Sequence, residues 1–81
     1  ENLGVCSCVR AIPQRNLLVA GHMDGKVGLW DVRTGSVSNS FVAHTESVAC
    51  LDATNSHIAT GSSEAVRLWD LTASSCINDF V

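Results

Sequence analysis

Two Trp-Asp dipeptides, Trp30-Asp31 and Trp69-Asp70, stand 39 residues apart, and each closes a segment of the same pattern. The first reads Val27-Gly28-Leu29-Trp30-Asp31 and the second Val66-Arg67-Leu68-Trp69-Asp70. Apolar residues at alternate positions describe a strand with one face turned to a core. A strand duplicated at a fixed interval means a duplicated supersecondary unit, which cannot bury its apolar face alone and must stack on a neighbour. Phe41-Val42 and Phe80-Val81 keep the same interval, so the duplication spans almost the whole chain.

Within each unit the turn residues divide the chain into four short segments. In the first, residues 5–9 form an apolar strand, residues 10–16 a loop with the only proline, and residues 17–20 a continuous apolar run. Asp24-Gly25 then precedes residues 26–30, a strong short-range hairpin signal. Thr34-Gly35 marks the next turn before a more polar strand at 36–42. The second unit repeats the order, with strands expected at 48–51, 57–60, 66–69 and 75–80. No stretch carries helical periodicity, so the fold class is all-β. The interval lies close to the about 40–45 residues of a four-stranded propeller blade. The chain therefore divides into blade 1 at residues 1–43 and blade 2 at residues 44–81.

Composition narrows the function classes. The five cations, Arg10, Arg15, Lys26, Arg33 and Arg67, are scattered among eight acids for a net charge of −3. With no basic run, nucleic acid is not an expected partner. No apolar stretch approaches the roughly 18 residues that span a bilayer, and no signal-peptide pattern opens the chain, so no membrane role is expected. Cys6, Cys8, Cys50 and Cys76 lack the Cys-x-x-Cys spacing of a zinc site. They read as small buried thiols acting as core hydrophobes, which favours an intracellular compartment, cytoplasm or nucleus. A propeller needs roughly 4–8 blades to close. The sequence, which opens on Glu1, thus reads as a piece of a larger propeller whose remaining blades are its nearest partners. The alternative is a two-blade unit that closes by self-association.

The turn Asp24, the loop His44 and the strand-ending Trp-Asp pairs at this spacing resemble the WD-repeat family, in which a Gly-His pair, a turn Asp and a Trp-Asp ending recur. The resemblance covers nearly the whole chain and implies two four-stranded antiparallel blades of a β-propeller. It also implies a hydrogen-bonded network of a loop His, a second-strand Ser or Thr, a third-strand Trp and a turn Asp. In blade 2 these positions hold His44, Thr60, Trp69 and Glu64, with Ala43 where the family has Gly. In blade 1, Asp24 and Trp30 match, but Ala20 replaces the hydroxyl residue and Glu1 falls where the His belongs. Buried indole and imidazole groups need hydrogen-bond partners, so such a network serves the structure. The same His, carboxylate and hydroxyl do not make a catalytic triad, because Thr60 lies on a strand without a nucleophile elbow. No Gly-rich phosphate cradle and no paired carboxylate motif is present. No enzyme activity, cofactor or metal is expected.

The run from Leu18 to Arg33, ending Trp30-Asp31-Val32-Arg33, also resembles the box by which WD-repeat receptors engage the adaptor of cullin-4 ubiquitin ligases. That resemblance implies that Arg33 contacts the adaptor; an exposed Arg at a turn mouth accounts for the same residues without a partner. Blade 2 ends in Trp69-Asp70-Leu71-Thr72 and lacks the Arg. Loops on a rigid scaffold tend to carry recognition. The candidate contacts are therefore Arg15, His22, Lys26, Asp31 and Arg33, on loops 10–16, 22–26 and 33–35, with loop 62–65 beside them. The function expected is a non-catalytic scaffold that binds other proteins. The alternatives are a ligase substrate receptor, with the adaptor as partner, or the non-catalytic part of a larger enzyme.

Overall fold

The computed structural model describes residues 3–73 and 75–80. Eight strands form two four-stranded antiparallel sheets, each a simple meander in chain order. The first sheet contains β1 (Cys6–Ile12), β2 (Leu17–His22), β3 (Lys26–Asp31) and β4 (Ser36–Val42). The second contains β5 (Cys50–Ala53), β6 (His57–Gly61), β7 (Val66–Asp70) and β8 (Cys76–Phe80). No α-helix occurs among the described residues; a single 3-10 turn, Pro13–Arg15, joins β1 to β2.

Most strand boundaries shift by a residue or two from the sequence reading, and two of the shifts have a clear physical cause. Residues 10–12, expected in a loop, continue β1 because they pair with Val19, Leu18 and Leu17 of β2. In blade 2 the first strand begins at Cys50 rather than Val48. Val48 is drawn instead to blade 1, where its N–H donates to the His22 carbonyl at 3.1 Å.

The core lies between the sheets. Val19, Val27 and Leu29 of the first sheet and Leu51, Ile58 and Trp69 of the second are buried in one cluster with Val48, from the linking segment. Phe41 of β4 packs its ring 4.7 Å from that of Trp69, tilted by 46°. The repeat thus predicts its own packing: each sheet has an apolar face that only the other sheet can cover. Of the cysteines only Cys8 packs against this core. Cys6, Cys50 and Cys76 are exposed and Cys8 is half-buried, all four as free thiols. The period-2 pattern places Cys50 with Val66 on the face of the second sheet turned away from the first.

Polar contacts complete the junction. The Gly25 carbonyl accepts from the N–H groups of Ala43 and His44 at 2.9 and 3.0 Å. Gly25 has φ +92°, and a Cβ there would lie 1.9 Å from the His44 carbonyl oxygen. The Asp-Gly signal therefore does more than turn a hairpin; it lets the backbone of blade 2 approach. At the other end of the sheets, Arg15 donates from Nη1 to the Asn55 carbonyl at 2.7 Å. Arg10 lies 3.6 Å from Asp52.

Gly25→Ala is expected to destabilise the chain by more than the roughly 1–2 kcal/mol that a positive φ alone costs an L-residue. Gly35→Ala supplies the comparison, since Gly35 has φ +73° but nothing within 4 Å of its Cβ position. Urea unfolding of the two variants isolates the junction contact. Equal losses would mean that the contact contributes nothing.

Candidate functional site

The two blades handle their polar interior differently. In blade 2, β6 brings Thr60 beside Trp69 of β7, because Ile58 and Thr60 share the face that Trp69 crosses. Trp69 Nε1 donates to Thr60 Oγ1 at 2.9 Å. His44 Nε2 lies 2.8 Å from the same oxygen. His44 and Thr60 are both buried. Burial, followed by the nearby Arg67 guanidinium, lowers the His44 pKa from its ordinary value. With the ring neutral, Thr60 accepts from the indole and donates to Nε2, so that each donor finds one acceptor.

Glu64 does not join this group. It stands exposed in the turn, where its own N–H donates to Ser62 Oγ at 3.2 Å. The turn is one residue shorter than its counterpart and closes on itself, with Ser62 N–H donating to the Ala65 carbonyl at 2.9 Å. Glu64 instead lines a cleft of about 160 Å³ with His44, Thr45, Glu46 and Arg67. The carboxylate that hydrogen-bonds in this neighbourhood is Glu46, which the sequence reading missed. The Thr45 hydroxyl, and after it Ser62, hold the Glu46 carboxyl below its ordinary pKa.

In blade 1, Asp24 is a turn residue: its Oδ1 accepts from Lys26 N–H at 3.1 Å. Its other oxygen lies 3.9 Å from Lys26 Nζ. Ala20 has no hydroxyl to offer, and Trp30 Nε1 finds no acceptor among the described residues. Glu1 lies outside those residues. His22 requires a correction, because it is buried and unavailable as a loop contact. Its Nδ1 lies 2.7 Å from the Gly4 carbonyl, while Nε2 has no partner among the described residues. It occupies the place of Ser62 in blade 2, and the longer turn tucks the ring inward. Sequence alone gave no signal for this, since a polar residue before a turn normally faces water.

The remaining candidates sit at the sheet ends. Asp31 accepts through Oδ1 from Arg33 N–H at 2.8 Å. Asp70 accepts in the same way from Thr72 and Ala73 N–H, both at 2.9 Å. The bond from Ala73 is the main cause that lowers the Asp70 pKa. The Asp of each Trp-Asp pair therefore builds the turn that follows its strand. The Arg33 side chain is 73% exposed, with Nε 3.8 Å from Asp31. Arg15, expected at a free loop tip, is engaged with blade 2 as described. Arg67 is a further residue that sequence reasoning did not single out. It donates to the Ala43 carbonyl and lies 3.3 Å from Asp79, tying the linking segment to β8.

Among the described residues no cluster of three or more His, Cys, Asp or Glu is gathered to hold a metal. No helix among them is long and apolar enough to cross a membrane.

Two stacked four-stranded meanders of duplicated sequence, locked by a linking segment, define this as a pair of β-propeller blades. The chain belongs to the WD-repeat family, for it matches the family described as WD domain, G-beta repeat over residues 2–31 and 35–70. It is 45% identical over 56 residues to Mitochondrial division protein 1 of Pyricularia oryzae, covering 68% of this chain and 8% of that protein. It is 32% identical over 80 residues to human striatin, covering 93% of this chain and 10% of striatin. Pre-rRNA-processing protein IPI3 of Mycosarcoma maydis is 37% identical over 68 residues, or 80% of this chain and 12% of that protein. The chain thus spans only a small part of these relatives. Among solved structures it resembles the β-propeller domain of Myceliophteria thermophila Cps50 (Swd1), with TM-score 0.87 and 24% identity, covering 98% of this chain and 25% of that one. The computationally designed protein Ika4 aligns with TM-score 0.83 and 19% identity, over 95% of this chain and 48% of that one. These two likenesses concern the fold.

Thr60→Ala removes the shared acceptor and is expected to cost about 1–3 kcal/mol. Thr60→Ser, which keeps the hydroxyl, should lose less, and chemical denaturation measures both. The pH dependence has a definite sign. A His with a lowered folded pKa contributes stability that is complete above its ordinary value of 6.5 and is lost as pH falls below it. The melting temperature should therefore drop between neutral and mildly acidic pH, and His44→Gln should flatten that slope. A slope unchanged in the variant would assign it to other groups.

Proposed function

We propose that this chain is a non-catalytic protein-interaction module, a section of WD-repeat propeller that presents loop tips to protein partners. WD-repeat propellers serve generally as interaction scaffolds. The observation that carries the reading is how the chain's polar groups are used. Buried Thr60 and His44 are engaged with Trp69, while Met23 and Arg33 project from capped turns. The proposed contacts fall at the two ends of blade 1, Arg33 and Asp31 at one, beside the engaged Arg15, and Lys26 with the neighbouring Met23 at the other. An intracellular setting, cytoplasm or nucleus, goes with the proposal and is supported by four unpaired thiols, three of them exposed. The test is affinity capture by the parent protein carrying Met23→Glu and Arg33→Glu together. Captured partners should fall away without a change in melting temperature. Full capture by the double variant would sink the assignment of these loops.

A second reading narrows the partner to the adaptor of cullin-4 ubiquitin ligases. It rests on the Trp30-Asp31-Val32-Arg33 ending and on the exposure of Arg33, whose planar guanidinium suits bidentate contact with a carboxylate. Pull-down of the parent with that adaptor, wild type against Arg33→Ala, decides it: capture should be lost in the variant. Capture that is absent in the wild type, or retained in the variant, removes the reading.

A further inference from the structure

The polar network of blade 2 borders a cleft that it does not fill. This is the space of about 160 Å³ between the linking segment and the 62–65 turn, lined by His44, Thr45, Glu46, Glu64, Ala65 and Arg67. Both walls are fixed within the junction of the two sheets. On one side the Gly25 carbonyl holds His44 N–H, and on the other Ser62 N–H closes the turn on the Ala65 carbonyl. The cleft lies at the end of the sheets that carries Met23 and Lys26.

The decisive atom is His44 Nδ1. His44 is 2% exposed, and its ring meets Thr60 through Nε2. Because Thr60 donates to Nε2, the neutral ring carries its proton on Nδ1. Nδ1 has no hydrogen-bond partner among the described residues. Of the side-chain nitrogens and oxygens of those residues, only His22 Nε2 is both unpartnered and sealed from solvent. His44 Nδ1 therefore reaches open space, and the open space along His44 is the cleft. An acceptor brought to this N–H relieves the penalty of leaving it unmatched.

The rest of the lining sets what else that acceptor must carry. The half-buried Arg67 adds N–H groups on the inner side, with Nη1 on the Ala43 carbonyl and Nε 3.3 Å from Asp79. The rim carries carboxylates. Glu46 is held by the hydroxyls of Thr45 and Ser62. Beyond its N–H to Ser62, Glu64 has no hydrogen bond or ion pair among the described residues. A carboxylate ligand would be repelled by both glutamates. An ammonium or guanidinium brings donors only and would set them against His44 Nδ1–H. The primary carboxamide carries an acceptor and donors side by side, and so meets both walls. At about 30 Å³ per water-sized group, the cleft has room for about five heavy atoms, the content of a Gln side chain beyond Cα.

We propose that this cleft receives the carboxamide of an Asn or Gln from a protein partner, its oxygen accepting from His44 Nδ1–H and its nitrogen donating to Glu64. The inference deepens the interaction reading above and rests on it for the source of the amide. Blade 1 offers no equivalent, because Gly28 stands in place of Arg67 and Asp24 is engaged with Lys26. Selectivity comes from the paired walls: an analogue with only donors or only acceptors leaves one wall facing a like group.

The test is nuclear magnetic resonance on the parent protein with isotope-labelled histidine rings. The probes are the N-acetyl, N-methylamide derivatives of glutamine, glutamate and lysine. The glutamine probe should shift the His44 ring signals saturably at roughly millimolar concentration, as suits so small a ligand. The other two should bind about tenfold more weakly, the scale of one lost hydrogen bond to a charged group. Glu64→Ala should weaken the glutamine probe by a similar factor at an unchanged melting temperature, since Glu64 is exposed. Shifts that grow linearly with every probe would overturn the proposal and leave the cleft to water. A lysine probe that binds best would overturn the carboxamide in favour of a cation, and undiminished binding to Glu64→Ala would overturn the part given to the rim. A saturable glutamine shift with full capture by the Met23→Glu, Arg33→Glu variant keeps this site and removes those loops. Lost capture without probe binding does the reverse.

Discussion

The junction between the two sheets is the constraint on which everything else depends. A four-stranded meander buries little by itself, and an isolated small sheet is marginal in water. Val19, Val27 and Leu29 leave water only because Val48 arrives from the linking segment and Leu51 from the second sheet. That arrival is steered by backbone: Gly25 offers its carbonyl to two successive N–H groups, and Gly21 leaves room for Val48 and Leu51. The apolar packing supplies most of the free energy, while the hydrogen bonds fix the register in which it is gained.

The same duplication permits divergence. Ala20 and Gly28 in blade 1 stand where blade 2 has Thr60 and Arg67, as the strand registers show. Blade 2 relies on Thr60 to hold His44, and through it the linking segment that reaches Gly25. The network and the latch are therefore one connected device, since His44 contributes its N–H to the latch and its ring to Thr60.

Much of this was legible in the sequence, and the part that was not has physical reasons. Strands ending at Trp30 and Trp69 could be read because alternate burial leaves a period of two. The hairpin at Asp24-Gly25 could be read because few residue pairs tolerate that turn. The reason Gly25 must be glycine could not, because it lies in a carbonyl 19 residues downstream, in the segment that links the sheets. The engagement of Arg15 with Asn55 likewise depends on a contact between blades, while His22 and Glu46 depend on neighbours distant in sequence or in a loop, Gly4 for the one and Thr45 and Ser62 for the other. The thiols misled for a related reason: burial depends on whether a second sheet covers the face, which a single strand's pattern does not encode.

That division bears on what such a chain can do. Residues on the faces are committed to blade packing, filled or awaiting a neighbour, so recognition falls to the strand ends. There the backbone is already tied down: Asp31 and Asp70 cap the turns after β3 and β7, and Ser62 closes the turn before β7. A capped turn loses little further conformational entropy when a partner arrives, so more of each contact survives as affinity. The Trp-Asp pair thus acts at both levels at once. In blade 2 Trp69 fills the space between blades and Asp70 holds rigid the turn that follows, as Asp31 does in blade 1.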